Sequence, residues 1–271
     1  MVKIKFTIIT LFKDAISPYL NTSMMWKAQD KGIAEFDFVD LREYGIGPHR
    51  SVDDTPYGGG DGMLMRCEPI YAAIEAVLEK ARALGEPKPE VILPTPDGAI
   101  WNQATARKFA EVDDPDMSAQ SLENSITKDN SSKIDKAGGA TKHYIILCPH
   151  YEGYDERILP LVDHKVSLGS YVLTGGELPA LVIIDSIVRL LPGVLGGKTS
   201  ALVESFSEGN NIEFPQYTKP ADFRGLKVPD VLLSGDHGKV ATWRKAHEKH
   251  GKSEESLEFE RNIKNSLDKN A

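Results

Sequence analysis

Residues 166–206 read VSLGSYVLTGGELPALVIIDSIVRLLPGVLGGKTSALVESF. A short strand, Val166 to Leu168, breaks into an irregular run holding Gly169, Gly175 and Gly176. The chain then turns apolar from Leu178 to Leu191 and stops at Pro192 and Gly193. This is the pattern of a glycine-rich loop feeding a buried helix. Glycines there let main chain come close to a ligand. Pro179 stands in the first helical turn, where proline is tolerated, and apolar residues surround almost the whole helix, so it belongs in a core. Asp185 and Arg189 interrupt it four residues apart, on one face, where an i,i+4 ion pair is the plain reading. Glu204 follows in a segment able to fold back over the end of the helix.

Working outward, the same strand, loop and helix rhythm recurs. Residues 3–10, KIKFTIIT, alternate and are rich in β-branched and aromatic types, as a strand entering a core does. Ser17 and Pro18 open a predicted helix to about Lys31, and Phe36 to Leu41 is a second strand. Met63 to Leu84 is a helix closed by Gly85. Val91 to Leu93 is a short strand leading into PTPDG, Asn102 to Glu111 a helix, and His143 to Cys148 a buried strand before PHYEGYDER. Strands alternating with helices imply an α/β domain with a largely parallel sheet.

Three stretches break the rhythm. Residues 42–62, REYGIGPHRSVDDTPYGGGDG, form a long loop carrying His49, Arg50, Asp53, Asp54 and Tyr57, and long loops inside compact domains are usually functional. Residues 113–142 are rich in Ser, Asn, Asp and Lys with few large apolar side chains, so a mobile surface insertion is expected. From Gly196 to about Ile212 the chain reads as a linker, which divides it into a domain over 1–195 and a small helical domain over 213–271 with a polar tail. In that second part Lys239, Trp243, Arg244, Lys245, His247, Lys249 and His250 make a locally basic, aromatic-bearing stretch, for which a solvated helix face is the competing reading.

The chain has 271 residues, 41% of them apolar and 27% charged, with a net charge of -8. That is the composition of a soluble globular protein with ample chain for a core. An acidic balance argues against wholesale coating of nucleic acid, so an RNA partner must be gripped by a few clustered residues. No apolar run reaches the length of a membrane span. The opening MVKIKFTIITLF is too strand-like, and lacks the small-residue cleavage site, to read as a signal peptide. Two widely spaced cysteines, Cys67 and Cys148, point to a reducing cytoplasm.

Common nucleotide motifs fail. In GVLGGKTS, Gly197, Lys198 and Thr199 match the end of a P-loop, but Pro192 occupies the first glycine position and a helix precedes it. No dinucleotide fingerprint follows a strand, and the seven histidines lack zinc spacing. What remains is three loops that follow strands, PTPDG, PHYEG and GSYVLTGGE. Ligands of α/β sheets bind outside the carboxyl ends of strands, so these loops can build one pocket, lined by main chain, proline and small apolar groups. Such a lining suits a flat, uncharged ring better than a phosphate tail.

VDDTPYGGGDGMLM, HYEGYDERI, SLGSYVLTGGELPALVIIDSIVRLLPGVLG, ESFSEG and VPDVLLSGDHGKVATWR, in this order, resemble the bacterial tRNA (guanine-N1-)-methyltransferase family, TrmD. The match spans most of the chain apart from 113–142 and about the last twenty residues. The resemblance implies a SPOUT methyltransferase: an α/β parallel-sheet domain with a deep trefoil knot, and a small, mostly helical C-terminal domain. It implies methylation of N1 of guanosine at tRNA position 37 with S-adenosyl-L-methionine, in a homodimer whose active sites lie at the subunit interface. Leu93, Pro94, Thr95 and Pro96 would wrap the cofactor, with Pro149, Tyr151, Glu152 and Gly153. So would Leu168, Gly169, Ser170, Tyr171, Val172 and Leu173, completed by Gly175, Gly176 and Pro179. Glu204 aligns with the family's general base and Arg189 with its charge-stabilising arginine. Glu152 is also a candidate reader of the guanine edge. His49, Arg50, Asp53, Gly58, Gly59 and Gly60 would hold the flipped base, and Trp243 and Arg244 the anticodon stem. The chain departs from the family pattern at Ser170 and Glu204, where aspartate is usual, and at Pro149, where glycine is. The resemblance also implies a divalent cation such as Mg2+, for which the sequence shows no ligand cluster. The rival readings are a SPOUT enzyme with another target base and a non-catalytic RNA-binding relative.

Overall fold

The computed structural model describes residues 4–111, 140–195, 204–206 and 211–250. Two compact units divide the chain, Met1–Asp113 with Ala119–Lys198, and Asp114–Ser118 with Thr199–Ala271. Residues 204–206 and 211–212, expected in a linker, thus fall within the second unit. The rest of that linker, 196–203 and 207–210, and most of the expected insertion, 113–139, lie outside the described residues.

The first unit is built on five strands: β1 (Ile4–Thr10), β2 (Ala34–Asp40), β5 (Glu90–Ile100), β6 (Lys142–Leu147) and β7 (His164–Ser167). They pair in the order β2-β1-β6-β5-β7, every pair parallel. All seven residues of β1 are buried, because its two neighbours and both faces are covered. On one face Ile9, Val91, Leu93, Ile145 and Leu147 pack with Ile70, Ala73, Ile74 and Val77 of α3 (Cys67–Leu84). The even-numbered positions face the other way, where Tyr144 meets Phe109 of α4 (Gln103–Ala110), ring centroids 5.4 Å apart. This period-two division is what a doubly covered parallel sheet requires.

Helix α5 (Glu177–Val188) packs with α4 and with α1 (Lys13–Leu20) and α2 (Ser23–Asp30). The helix predicted from Ser17 to Lys31 is two, because the Asn21 amide and the Thr22 hydroxyl turn back to the carbonyls of Ser17 and Tyr19. The helix expected from Met63 begins at Cys67, since Leu64–Met65 (β4) pairs with Asp53–Asp54 (β3) inside the long loop. Gly85 ends α3 as expected, with φ +67°. Burial, and then the Asp185 carboxylate of α5, push the Tyr19 phenol pKa up. No helix among the described residues is long and apolar enough to cross a membrane.

In the second unit, short antiparallel pairs join Asn211–Ile212 to Lys249–His250 and Asp222–Phe223 to Leu226–Lys227. Helices run over Asp230–Leu233 and His237–Ala246. Asp236 caps the longer one, its carboxylate accepting the Lys239 backbone N–H at 3.1 Å.

Candidate active site

Because the strands are parallel, their carboxyl ends share one edge of the sheet, and three loops leave it there. β5 makes an excursion between Pro94 and Ala99 and then resumes pairing with Val166 and Ser167. Gly98 makes this possible: a Cβ there would sit 2.4 Å from the Val166 backbone nitrogen. The loop after β6 is stitched to the loop after β7 by the Gly176 N–H, which donates to the Pro149 carbonyl at 2.8 Å. A Cβ on Gly176 would lie 2.5 Å from Cys148 Cα.

The three loops converge on one mostly apolar pocket. Pro94, Thr95 and Pro96 line it from β5. Pro149, Tyr151, Glu152 and Gly153 line it from the second loop, with His150 and Tyr154. Leu168, Gly169, Tyr171, Val172, Leu173, Gly175 and Gly176 line it from the third, with Val166, Ser167 and Thr174, and Pro179 closes it from α5. Leu93 and Ser170 do not line it. Leu93 is wholly buried in the core under α3, and Ser170 is exposed.

Polar groups around the pocket are tied down. The Tyr154 hydroxyl donates to Thr95 Oγ1 at 3.3 Å, and the Thr95 hydroxyl to Asp97 at 2.7 Å. Asp97 also pairs with Lys165, and these two bonds hold its carboxyl below the usual range. Tyr151 adopts φ +61°, a left-handed conformation costly for a non-glycine residue. Partial burial, and then the nearby Asp53 carboxylate, push its phenol pKa up.

The segment that follows the 42–62 loop is tied to this rim by main-chain bonds. The Glu152 N–H donates to the Met63 carbonyl at 3.0 Å, and the Met65 N–H to the Gly153 carbonyl at 2.9 Å. Gly62 lies against Glu152, where a Cβ would fall 2.4 Å from Cγ. His49 and Arg50 sit on an exposed turn closed by the Ile46 and Ser51 backbones. Gly58, Gly59 and Gly60 are exposed with φ of +87°, +81° and +126°, conformations glycine alone adopts freely. None of these five lines the pocket.

Arg189 follows α5, half-buried, its N–H donating to the Asp185 carbonyl at 3.0 Å. Glu204, half-buried in a turn with Ser205 and Phe206, belongs to the second unit. There the Trp243 ring stacks on His247 at 4.0 Å, and the Arg244 guanidinium lies over Phe214 at 4.9 Å. Among the described residues, no group of three or more His, Cys, Asp or Glu side chains is placed to hold a metal ion.

The sequence singles out neither His150 nor Glu177 as a site residue. The structure joins them by a 2.6 Å hydrogen bond at the pocket wall. The available signal was a carboxylate opening an otherwise apolar helix, a group that must find partners if buried.

A parallel α/β sheet with a crevice at its carboxyl edge, walled by glycine, proline and main chain, has the form of a ligand-binding site with room for a flat, uncharged ring. The profile of the tRNA (guanine-1)-methyltransferase TrmD family matches residues 4–114 and 126–259, passing over less of the chain than the 113–142 stretch expected to be foreign to it. The chain belongs to this family. It is 45% identical to a tRNA (guanine-N(1)-)-methyltransferase of Shouchella clausii over 240 residues, 89% of this chain and 84% of the relative. It is 44% identical to that of Listeria welshimeri over 241 residues, 89% and 85% of the two. Among solved structures, the tRNA (m1G37) methyltransferase from Aquifex aeolicus superposes with a TM-score of 0.66 at 33% identity, covering 90% of this chain and 89% of that one.

Proposed function

We propose that the chain methylates N1 of the guanosine at position 37 of tRNA, with S-adenosylmethionine as donor, in a cytoplasmic homodimer of knotted SPOUT subunits. The observation that carries this reading is the pocket itself. Loops whose sequences match the family motifs meet there, in a chain whose relatives at 44–45% identity bear the name of this activity.

The pocket fits the donor by its chemistry. Apolar walls from Pro94, Pro96, Pro149 and Leu168 suit an adenine ring, and Gly153, Gly169 and Gly175 in the lining let main chain come close to its edge. Bound S-adenosylmethionine supplies an electrophilic methyl group. N1 of guanine carries a proton and becomes a nucleophile only on losing it, so Glu204 acts as general base. The negative charge that then spreads to O6 is stabilised by Arg189. Glu152 accepts from the guanine edge, while His49, Arg50, Asp53 and the run Gly58 to Gly60 hold the extruded nucleotide. Trp243 and Arg244 hold the stem by stacking and charge. No step is assigned to Mg2+, because no ligand set for it is gathered among the described residues.

Replacing Glu204 with Gln keeps shape and removes the base. The variant is expected to lose about 100-fold or more in kcat while binding tRNA as the native protein does. Methylation by the variant at the native rate would contradict the assignment.

A further inference from the structure

Thr10, Glu177 and His150 form a hydrogen-bonded run at the pocket wall that none of the roles above uses. Glu177 is the first residue of α5, yet only 7% of it is exposed. The Thr10 hydroxyl donates to its Oε1 at 2.6 Å, and its Oε2 lies 2.6 Å from His150 Nε2. A carboxylate that accepts on both oxygens places the imidazole proton on Nε2. Burial of such a group is sustained only by partners of this kind, aided here by the positive end of the helix.

The three residues come from three elements. Thr10 ends β1, Glu177 opens the helix behind the third loop, and His150 lies in the second loop and lines the pocket. The His150 ring also meets Phe12 edge-on, centroids 4.8 Å apart. The hydrogen bond explains Gly175. A Cβ at that position would lie 2.3 Å from His150 Cε1, 2.6 Å from Nε2 and 2.8 Å from Glu177 Oε2, in the middle of the bond. Glycine therefore leaves the space in which the side chains meet, and the adjacent Gly176 N–H to Pro149 carbonyl bond stitches the same two loops through the backbone.

We propose that Thr10, Glu177 and His150 are positioning residues that clamp the second pocket loop against the third and so set the affinity for the methyl donor. This rests on the reading of the pocket as the S-adenosylmethionine site. The clamp has no part in the proton removal assigned to Glu204 or the charge stabilisation assigned to Arg189, so its loss weakens donor binding and leaves the transfer step largely intact.

The test uses the full chain as native protein and as Thr10→Val, Thr10→Ser, His150→Ala, Gly175→Ala and the His150→Ala/Gly175→Ala pair. Binding of S-adenosylhomocysteine is measured by calorimetry, and kcat and KM for each substrate by methyl transfer. Loss of one charge-assisted hydrogen bond is expected to raise the dissociation constant and the donor KM about tenfold in Thr10→Val and His150→Ala. The tRNA KM and kcat should move less than about threefold. Thr10→Ser, which keeps the donor hydroxyl, recovers most of the affinity that Thr10→Val loses. Gly175→Ala weakens binding in the native background and adds little once His150 is alanine. If the native protein binds the probe and these variants bind it equally well, or if kcat falls with affinity in step with the melting temperature, the clamp is overturned. If the native protein binds no probe, the cofactor reading fails and the clamp with it.

Discussion

Lys5 carries its charge into the interior of β1, with 5% of its side chain exposed. Its ammonium lies 3.2 Å from Glu35, 3.2 Å from Asp37 and 3.1 Å from Glu86. Burial opposes that charge, but the three carboxylates outweigh it and raise the Lys5 pKa. Lys5→Ala strands the acids, and urea unfolding should show a loss of about 2–3 kcal/mol, below that of a fully enclosed pair because Glu35 and Asp37 reach solvent. A loss below about 0.5 kcal/mol would mean the network contributes no more than a surface pair. Beside it, burial pushes the His143 imidazole down to about 4, against the pull of Glu86. The native state therefore prefers neutral His143, and its contribution is complete above the unfolded value of about 6.5 and lost as pH falls toward 4. Unfolding free energy should decline across that window, and His143→Gln should flatten the decline; coincident pH profiles would refute this. The alternation in KIKFTIIT identifies the strand but not this network. Whether Lys5 meets solvent depends on what covers the sheet, which is a property of distant segments.

At the scale of elements, the strand and helix order was legible because period and punctuation are local. The boundaries that moved did so for non-local reasons. PTPDG reads as the end of a strand, yet β5 resumes at Ala99 and Ile100 because β7 offers a partner there. α5 ends at Val188, short of Leu191, as the Leu190 and Leu191 N–H groups tighten to the carbonyls of Ile187 and Val188 at 3.0 and 3.1 Å. The three pocket loops could be proposed from the strand order, whereas the bond between His150 and Glu177 could not, since 27 residues separate them. Gly98→Ala tests the β5 excursion. Its Cβ would meet Val166 N, C and Cα at 2.4–2.6 Å, backbone that cannot swing aside. Calorimetric unfolding is expected to show about 1–3 kcal/mol of destabilisation. An unchanged melting temperature would show that β5 and β7 do not need this contact.

At the scale of the whole molecule, the helical face bearing Leu178 and Val182 remains 60% and 47% exposed, and Val172 is 86% exposed. Half-exposed Tyr19 and Trp26 lie on the helices that pack against α5, and an apolar patch of this kind marks an interaction face. The proposed homodimer would cover it. Val182→Lys is expected to shift sedimentation from dimer toward monomer and to abolish methylation with it. Full activity in a monomeric variant would contradict shared active sites. The function was legible in the order of five motifs, while Arg189 and Glu204 come from different units and their joint use is a matter for chemistry in solution. The most direct measurement is transfer of a labelled methyl group from S-adenosylmethionine to two tRNA transcripts, one with G and one with A at position 37. 1-Methylguanosine is expected in the first and no label in the second; equal labelling of both, or of neither, would contradict methylation of guanosine 37.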